Sequence, residues 1–341
     1  MMALSPLNQA RWRRFKHNRR GYWSFWIFIV LFAISLCAEL IANDKPLVVH
    51  YDNHWYFPVV KNYSEQDFGG VFPTSADYQD PWLATRLAQK GWVLWAPIRF
   101  GNQSINFATT QPFPSPPSAQ NWLGTDATGG DVLARVIYGT RISLIFGIML
   151  TLFSSVIGVM VGAVQGYYGG RIDLWGQRLI EVWSGMPTLF LIILLSSVVQ
   201  PNFWWLLGIT VLFGWMGLVG VVRAEFLRTR NFDYIRAAQA LGVSDGTIMW
   251  RHMLPNAMVA TLTFVPFILC GSITTLTSLD FLGFGLPVGS PSLGELLLQG
   301  KNNLQAPWLG ITAFIVLASL LSLLVFTGEA VRDAFDPNKA G

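Results

Sequence analysis

The sequence predicts an all-α polytopic membrane protein with about six membrane-spanning helices and one large insertion after the first. Three observations predict it. Of the 341 residues, 52% are hydrophobic and only 12% charged, against about 25% charged in an ordinary soluble domain. Apolar runs close to the roughly 20 residues needed to cross about 30 Å of hydrocarbon recur along the chain. Arginines gather in the short segments between those runs, as they do on the cytoplasmic flanks of membrane helices.

The elements follow in order. Residues 1–21 carry "RWRRFKHNRR", Arg11 to Arg20, with no acid before the first apolar run, which predicts a cytoplasmic amino terminus. The first span is predicted at Tyr22 to Ala42. It reads as an uncleaved anchor: its apolar stretch is about 20 residues, longer than the 7 to 15 of a signal peptide, and no A-x-A site closes it. The insertion, 43–138, mixes Tyr, Trp and Asp with turn formers, lies outside by alternation from that terminus and is long enough for a small domain. Trp55, Tyr56, Trp92 and Trp95 serve there either as contacts for a partner or as the core of a folded spacer. His50 and His54, in "HYDNH", read as loop residues because the glutamate of a helical zinc motif is missing. "PFPSPPS", Pro112 to Ser118, reads as an extended linker back to the membrane.

Further spans are predicted at Ile142 to Gln165, Leu179 to Val199, Trp204 to Ala224, Pro255 to Leu279 and Trp308 to Gly328. Gly158, Gly162 and Gly166, and likewise Gly208, Gly214, Gly217 and Gly220, offer small faces for close helix contact. Pro187 and Pro266 should kink the third and fifth spans. An even count of spans returns the tail, 331–341, to the cytoplasm. The same alternation places 167–178 and 223–255 there, and these loops hold Arg171, Arg178, Arg223, Arg228, Arg230, Arg236 and Arg251. Between the fifth and sixth spans, Asp280 to Pro307 reads as an outer loop rich in Gly and Pro. Cys37 and Cys270 lie within apolar runs and read as packing residues. The small net charge of +4 argues against nucleic acid as a partner.

Ionisable residues sit only near span ends: Glu39, Glu181, Asp280 and Glu329. A proton pump or ion-coupled carrier would need them deeper, so energy should enter from elsewhere. The segment "DYIRAAQALGVSDGTIMWRHMLPN", Asp233 to Asn256, is the informative one. Placing an arginine mid-bilayer costs roughly 2.5 to 3.5 kcal/mol, so it cannot span. Tyr234, Ala237, Ala238 and Leu241 share one helical face, Asp233 is a candidate N-cap and Gly242 a candidate stop. Ser244 can cap a second short helix that runs into Pro255, a residue suited to the first turn of the next span. The small face cannot build its own core, and Ala237 and Ala238 do not suit a headgroup-lying helix with bulky apolar residues. Docking against another protein fits better.

This segment resembles the cytoplasmic signature of ABC-importer permeases, E-A-A-x3-G-x9-I-x-L-P, at Ala237, Ala238, Gly242, Leu254 and Pro255. Arg236 stands where the signature has Glu and His252 where it has Ile, so roles of those two side chains do not transfer. "AAQALG" with "RHMLPN" is similar to the form in oligopeptide and nickel permeases. "LGTDATGGDVLARVIYGTRISL", Leu123 to Leu144, and "SLDFLGFGLPVGSPSLGELL", Ser278 to Leu297, resemble the same subfamily, with Gly130 in place of its usual Arg.

The resemblance implies the type I importer-permease fold, with a core at 139–330 and coupling helices at 231–254, in a bacterial inner membrane. It implies a second homologous permease, two cytoplasmic ABC ATPase domains that use ATP and Mg, a periplasmic binding protein, and oligopeptides or peptide-like compounds of the microcin C type as cargo. Tyr234, Ala237, Ala238, Leu241, Gly242, Leu254 and Pro255 would meet the ATPase. Asp280 could meet a cationic peptide terminus or simply face headgroups or water. No cofactor is expected on this chain, since GxxxxGK[ST] is absent; it should not hydrolyse ATP itself. A permease for another cargo such as nickel, a membrane enzyme acting on lipid-linked substrates, and a passive channel are the alternatives. The enzyme would need convergent acids, bases or metal ligands, and the channel a filter motif.

Overall fold

The computed structural model describes residues 6–335 except 108, 110, 200 and 288. Helices dominate. In chain order they are α1 (Pro6–His17), α2 (Arg19–Leu36), α3 (Ala38–Ile41), α4 (Pro81–Lys90), α5 (Val132–Tyr168), α6 (Gly170–Ser184), α7 (Thr188–Val198), α8 (Phe203–Gly214), α9 (Met216–Thr229), α10 (Asp233–Ala240), α11 (Asp245–Thr247), α12 (Leu254–Phe281), α13 (Leu293–Asn302) and α14 (Pro307–Phe335). Strands β1 (Val48–Tyr51), β2 (His54–Tyr56) and β3 (Gly91–Leu94) form an antiparallel sheet of order β2-β1-β3.

Four helical runs among the described residues are long and apolar enough to cross a membrane: α5, α8 with α9, α11 through α12, and α14. The α6 and α7 pair makes a fifth if counted as one broken span, bent by 66°. That break falls at Gly185 to Pro187, where the missing proline N–H stops one helix and the ring opens the next. Pro266, by contrast, lies within the single helix α12. The first predicted span falls on α2, which is not among these runs: it begins earlier than expected, with Arg19 and Arg20 in its opening turn, and stops at Leu36. Its 18 residues extend about 27 Å.

Small residues set the packing. A Cβ at Gly158 would lie 2.5 Å from Trp215 O, at Gly162 2.8 Å from Val219 O, and at Gly166 2.5 Å from Phe226 Cβ. The stripe on α5 therefore presses its backbone onto α9 within this chain, the arrangement that replaces hydrophobic drive inside lipid. The second predicted stripe is only partly used: Gly214 meets Ser154, while Gly208, Gly217 and Gly220 have open space. One core cluster joins α5, α7, α8 and α12 through Phe146, Leu150, Ile192, Leu206, Leu207 and Leu276. Another joins α2, α5, α12 and α14 through Phe28, Leu144, Ile273 and Leu320.

The insertion, read from sequence only as long enough for a small domain, holds the sheet, and His50 and His54, read as loop residues, lie on its strands β1 and β2. Its sheet packs on α4 around Val49, Tyr51, Phe68, Tyr78, Leu83 and Leu87, with Asp80 capping α4 through Trp82 N at 3.0 Å. Burial first, then Tyr63 and Asp67, pushes the Tyr78 phenol well above its ordinary range. The predicted aromatics divide. Tyr56 and Trp95 pack against this core, whereas Trp55 and Trp92 stay exposed on the other face of the sheet, where both contact the His50 ring. α5 begins at Val132, ahead of the span predicted from Ile142, because Asp131 caps it by accepting from Ala134 N at 2.7 Å.

The proline-rich stretch is pinned to the body, with Ser115 buried and its N–H donating to Thr125 Oγ1 at 2.8 Å. The predicted outer loop contains a helix, α13, capped by Ser292 through Glu295 N at 3.0 Å. Gln299 of α13 accepts from Ala127 N at 3.0 Å, and Trp308 donates to Thr125 O at 3.2 Å. The stretches Leu123 to Leu144 and Ser278 to Leu297 meet at this one end of the bundle, where Val132 and Val136 share a core cluster with Leu296 and Gly139 lies against the backbone of Ser292. Gly130 belongs to this junction: a Cβ there would lie 2.8 Å from Arg135 Nε, in space that Arg135 needs for its buried ion pair with Asp126.

Candidate functional site

The polar island occupies the other end of the bundle. Its first arm, α10, starts at Asp233, with Phe232 rather than Asp233 in the cap position and Asp233 in the first turn, where a carboxylate complements the helix dipole. Its end is a Schellman turn: Gly242 N donates to Gln239 O at 3.0 Å and Val243 N to Ala238 O at 3.1 Å. Gly242 makes that turn at φ +73° with open space around it, a conformation that a side chain with Cβ resists.

The second arm begins at Ser244 and is a single turn, α11. It does not end before Pro255. A π-helical turn, Ile248–Met253, carries it directly into α12, so that Asp245 to Phe281 is one continuous helical run. A proline inside a helix clashes with the carbonyl four residues back, and the wider π turn ahead of Pro255 accommodates it. Such turns recur at functional positions.

The named residues separate into two sets. Tyr234, Ala237, Leu241, Gly242 and Pro255 are exposed, with Leu241 at 83%. Ala238 and Leu254 turn inward and pack on the bundle, so the four-residue face predicted for a partner splits along the helix. The anchor that the sequence reading missed is Ile235, fully buried with Tyr167, Val222, Phe226, Ile248, Met253 and Ala257. Its signal was the i, i+3 pair Ile235 and Ala238, one position out of step with Tyr234 and Ala237. Asn256 Nδ2 donates to Tyr234 Oη at 3.1 Å and braces the two arms together.

Charge fixes the island's base. Arg223 Nη2 of α9 donates to Asp173 Oδ2 of α6 at 2.6 Å, Arg230 Nη1 to Tyr167 O at 3.4 Å, and Arg228 Nη2 to Glu225 Oε1 at 2.6 Å. Arg236 and Arg251 remain exposed around the hydrophobic tip. The result is a helical hook with a packed root and an exposed crown of Tyr, Ala and Leu. That crown suits a partner protein: it is apolar and small, and its backbone geometry is set in advance.

Asp280 lies far along α12 from the hook and is 5% exposed. Its Oδ1 accepts from Leu286 N at 2.7 Å, holding the turn that follows the helix.

Helical spans with an arginine-bearing hook at one end and a cross-braced junction at the other describe a polytopic membrane protein, and comparison with known proteins identifies the family. Residues 154–340 match the family described as "Binding-protein-dependent transport system inner membrane component", and residues 5–67 match "N-terminal TM domain of oligopeptide transport permease C". The chain belongs to the first of these families, the inner membrane ABC permeases. It is 82% identical over 340 residues, all of both chains, to the inner membrane ABC transporter permease protein YejE of Escherichia coli (strain K12). It is 55% identical to the peptidoglycan transport system permease protein YejE of Agrobacterium fabrum (strain C58), covering 98% of this chain and 94% of that one. The dipeptide transport system permease protein DppC of Bacillus subtilis (strain 168) is 36% identical over 225 residues, 65% of this chain and 70% of its own.

Proposed function

We propose that this permease imports oligopeptides or peptide-like compounds, of the kind represented by microcin C, and that the hook 231–254 receives the force of ATP hydrolysis. The observation that carries the reading is the exposed crown of Tyr234, Ala237 and Leu241 on a buried root at Ile235. An apolar tip of this kind in an arginine-rich loop is a docking element awaiting a partner subunit.

In this reading the hook and both termini face the cytoplasm and the insertion faces the periplasm. Two ABC ATPase domains bind ATP and Mg and clamp on the hook; this chain binds neither. A second homologous permease supplies the other half of the pathway. A periplasmic binding protein delivers the peptide, and the exposed Trp55 and Trp92 are the insertion's contribution to its docking. The hook's arms flow into α9 and α12, so a push on the crown rocks those helices as rigid bodies, the usual form of alternating access.

Gly242→Val tests the reading. The variant should remain in the membrane, retain the second permease and lose most peptide uptake, because a β-branched residue resists φ near +73°. An ATPase subunit should co-purify with the native chain and less with the variant. Normal uptake by Gly242→Val would overturn the assignment.

A further inference from the structure

We propose that Tyr167 is a positioning residue that ties the hook to the end of α5, giving the ATPase stroke a third route into the bundle beside α9 and α12. The proposal rests on the coupling role of the hook. Tyr167 is 7% exposed and is the penultimate residue of the 37-residue helix α5. Its hydroxyl donates to Asp245 Oδ1 at 2.6 Å, across 78 positions of sequence. A hydrogen bond to a carboxylate is roughly twice as strong as a neutral one.

The ring and the hydroxyl act on different parts of the hook. The ring packs with Ile235 from the first arm and Ile248 from the second, while the hydroxyl grips α11, just past the Gly242 turn. The carbonyl of the same residue accepts from Arg230. Tyr167 is therefore joined to the chain before the hook, to its first arm and to its second. Displacement of the hook must either carry the end of α5 with it or break this bond.

α5 is held in turn along α9 by Gly158, Gly162 and Gly166, and its other end forms part of the distant junction at Asp126 and Arg135. A pull at Tyr167 thus reaches residues that the hook's own flanking helices do not include. Tyr167→Phe removes only the hydroxyl and leaves the ring in its core.

The test uses the assembled transporter in proteoliposomes, with tri-alanine uptake and phosphate release measured together. The ratio of peptide moved to ATP hydrolysed should fall about tenfold for Tyr167→Phe and for Asp245→Ala, as expected for losing one charge-assisted hydrogen bond. The double variant should fall no further than either single one. Asp245→Asn, which keeps an acceptor oxygen, should recover most of the ratio. A role confined to folding would lower the yield or melting temperature of the complex and leave the ratio alone. As a measurement independent of cargo, amide exchange at 243–248 should quicken in Tyr167→Phe. An unchanged ratio and unchanged exchange in Tyr167→Phe and Asp245→Ala, beside a lost ratio in Gly242→Val, overturns the tie and leaves the coupling role standing. If Gly242→Val also keeps the ratio, the coupling role itself falls.

Discussion

Single residues here do their work by exclusion as much as by contact. A side chain at Gly162 would meet Val219 O at 2.8 Å and Val222 Cβ at 2.9 Å, so Gly162→Leu should force α5 and α9 apart. Overpacking of this kind costs about 1–3 kcal/mol, to be read as a lower melting temperature of the detergent-solubilised chain. Asp280 illustrates the opposite economy. Its Oδ1 is directed at the backbone of Leu286, so Asp280→Asn, which keeps one acceptor, should leave peptide uptake within about twofold, whereas Asp280→Ala strands a part-buried N–H at about 1 kcal/mol or somewhat more. A large uptake defect in Asp280→Asn with normal stability would instead assign the carboxylate to the cargo. Sequence alone marked Asp280 as notable because acids are scarce in the spans; it could not reveal the partner, which lies in the loop that folds back on it.

At the scale of elements, the hook was the most legible part of the molecule. The turn at Gly242, the start of the second arm at Ser244 and the helical period of α10 are local features, and local features survive in sequence, although the Ser244 hydroxyl pairs with Thr247 Oγ1 rather than capping the backbone. The division of its faces was not legible: Ala238 and Leu254 turn inward because Ile235 and Met253 find buried partners on other helices, a matter of tertiary placement. The π turn was hidden for a similar reason, since Pro255 suits a helix start as well as a widened helix interior. α13 had left its signature, Ser292 followed by Glu295 at the capping-box spacing, within a stretch whose Gly and Pro content read as loop. The small sheet could not be read, because strands of 3 and 4 residues carry too little alternation to register. Deleting Asp52 to Phe107 removes that sheet and the exposed Trp55 and Trp92 together. Docking of the binding protein should then fall at least tenfold while the chain still inserts; undiminished docking would make the insertion a spacer.

For the whole molecule, the apolar runs specified a membrane protein directly, because hydrocarbon thickness is a length that sequence can express. The broken pair α6 and α7 was foreshadowed by Pro187, although the 66° bend depends on how the pair packs. The joining of the two stretches around Asp126, Arg135 and Gln299 is long-range, with Gln299 reaching Ala127 across 172 positions, and no spacing rule predicts it. These contacts give the bundle two dissimilar ends, a cross-braced junction at one and a hook at the other.

The length of α5 has a mechanical corollary. Its 37 residues make a rod of about 55 Å, nearly twice the roughly 30 Å of oily interior it has to traverse. Such a rod projects beyond the lipid at one surface or both unless it leans steeply. A tug on one tip is then felt at the other with no intervening joint, and news from the motor side can cross the barrier through a single stiff member.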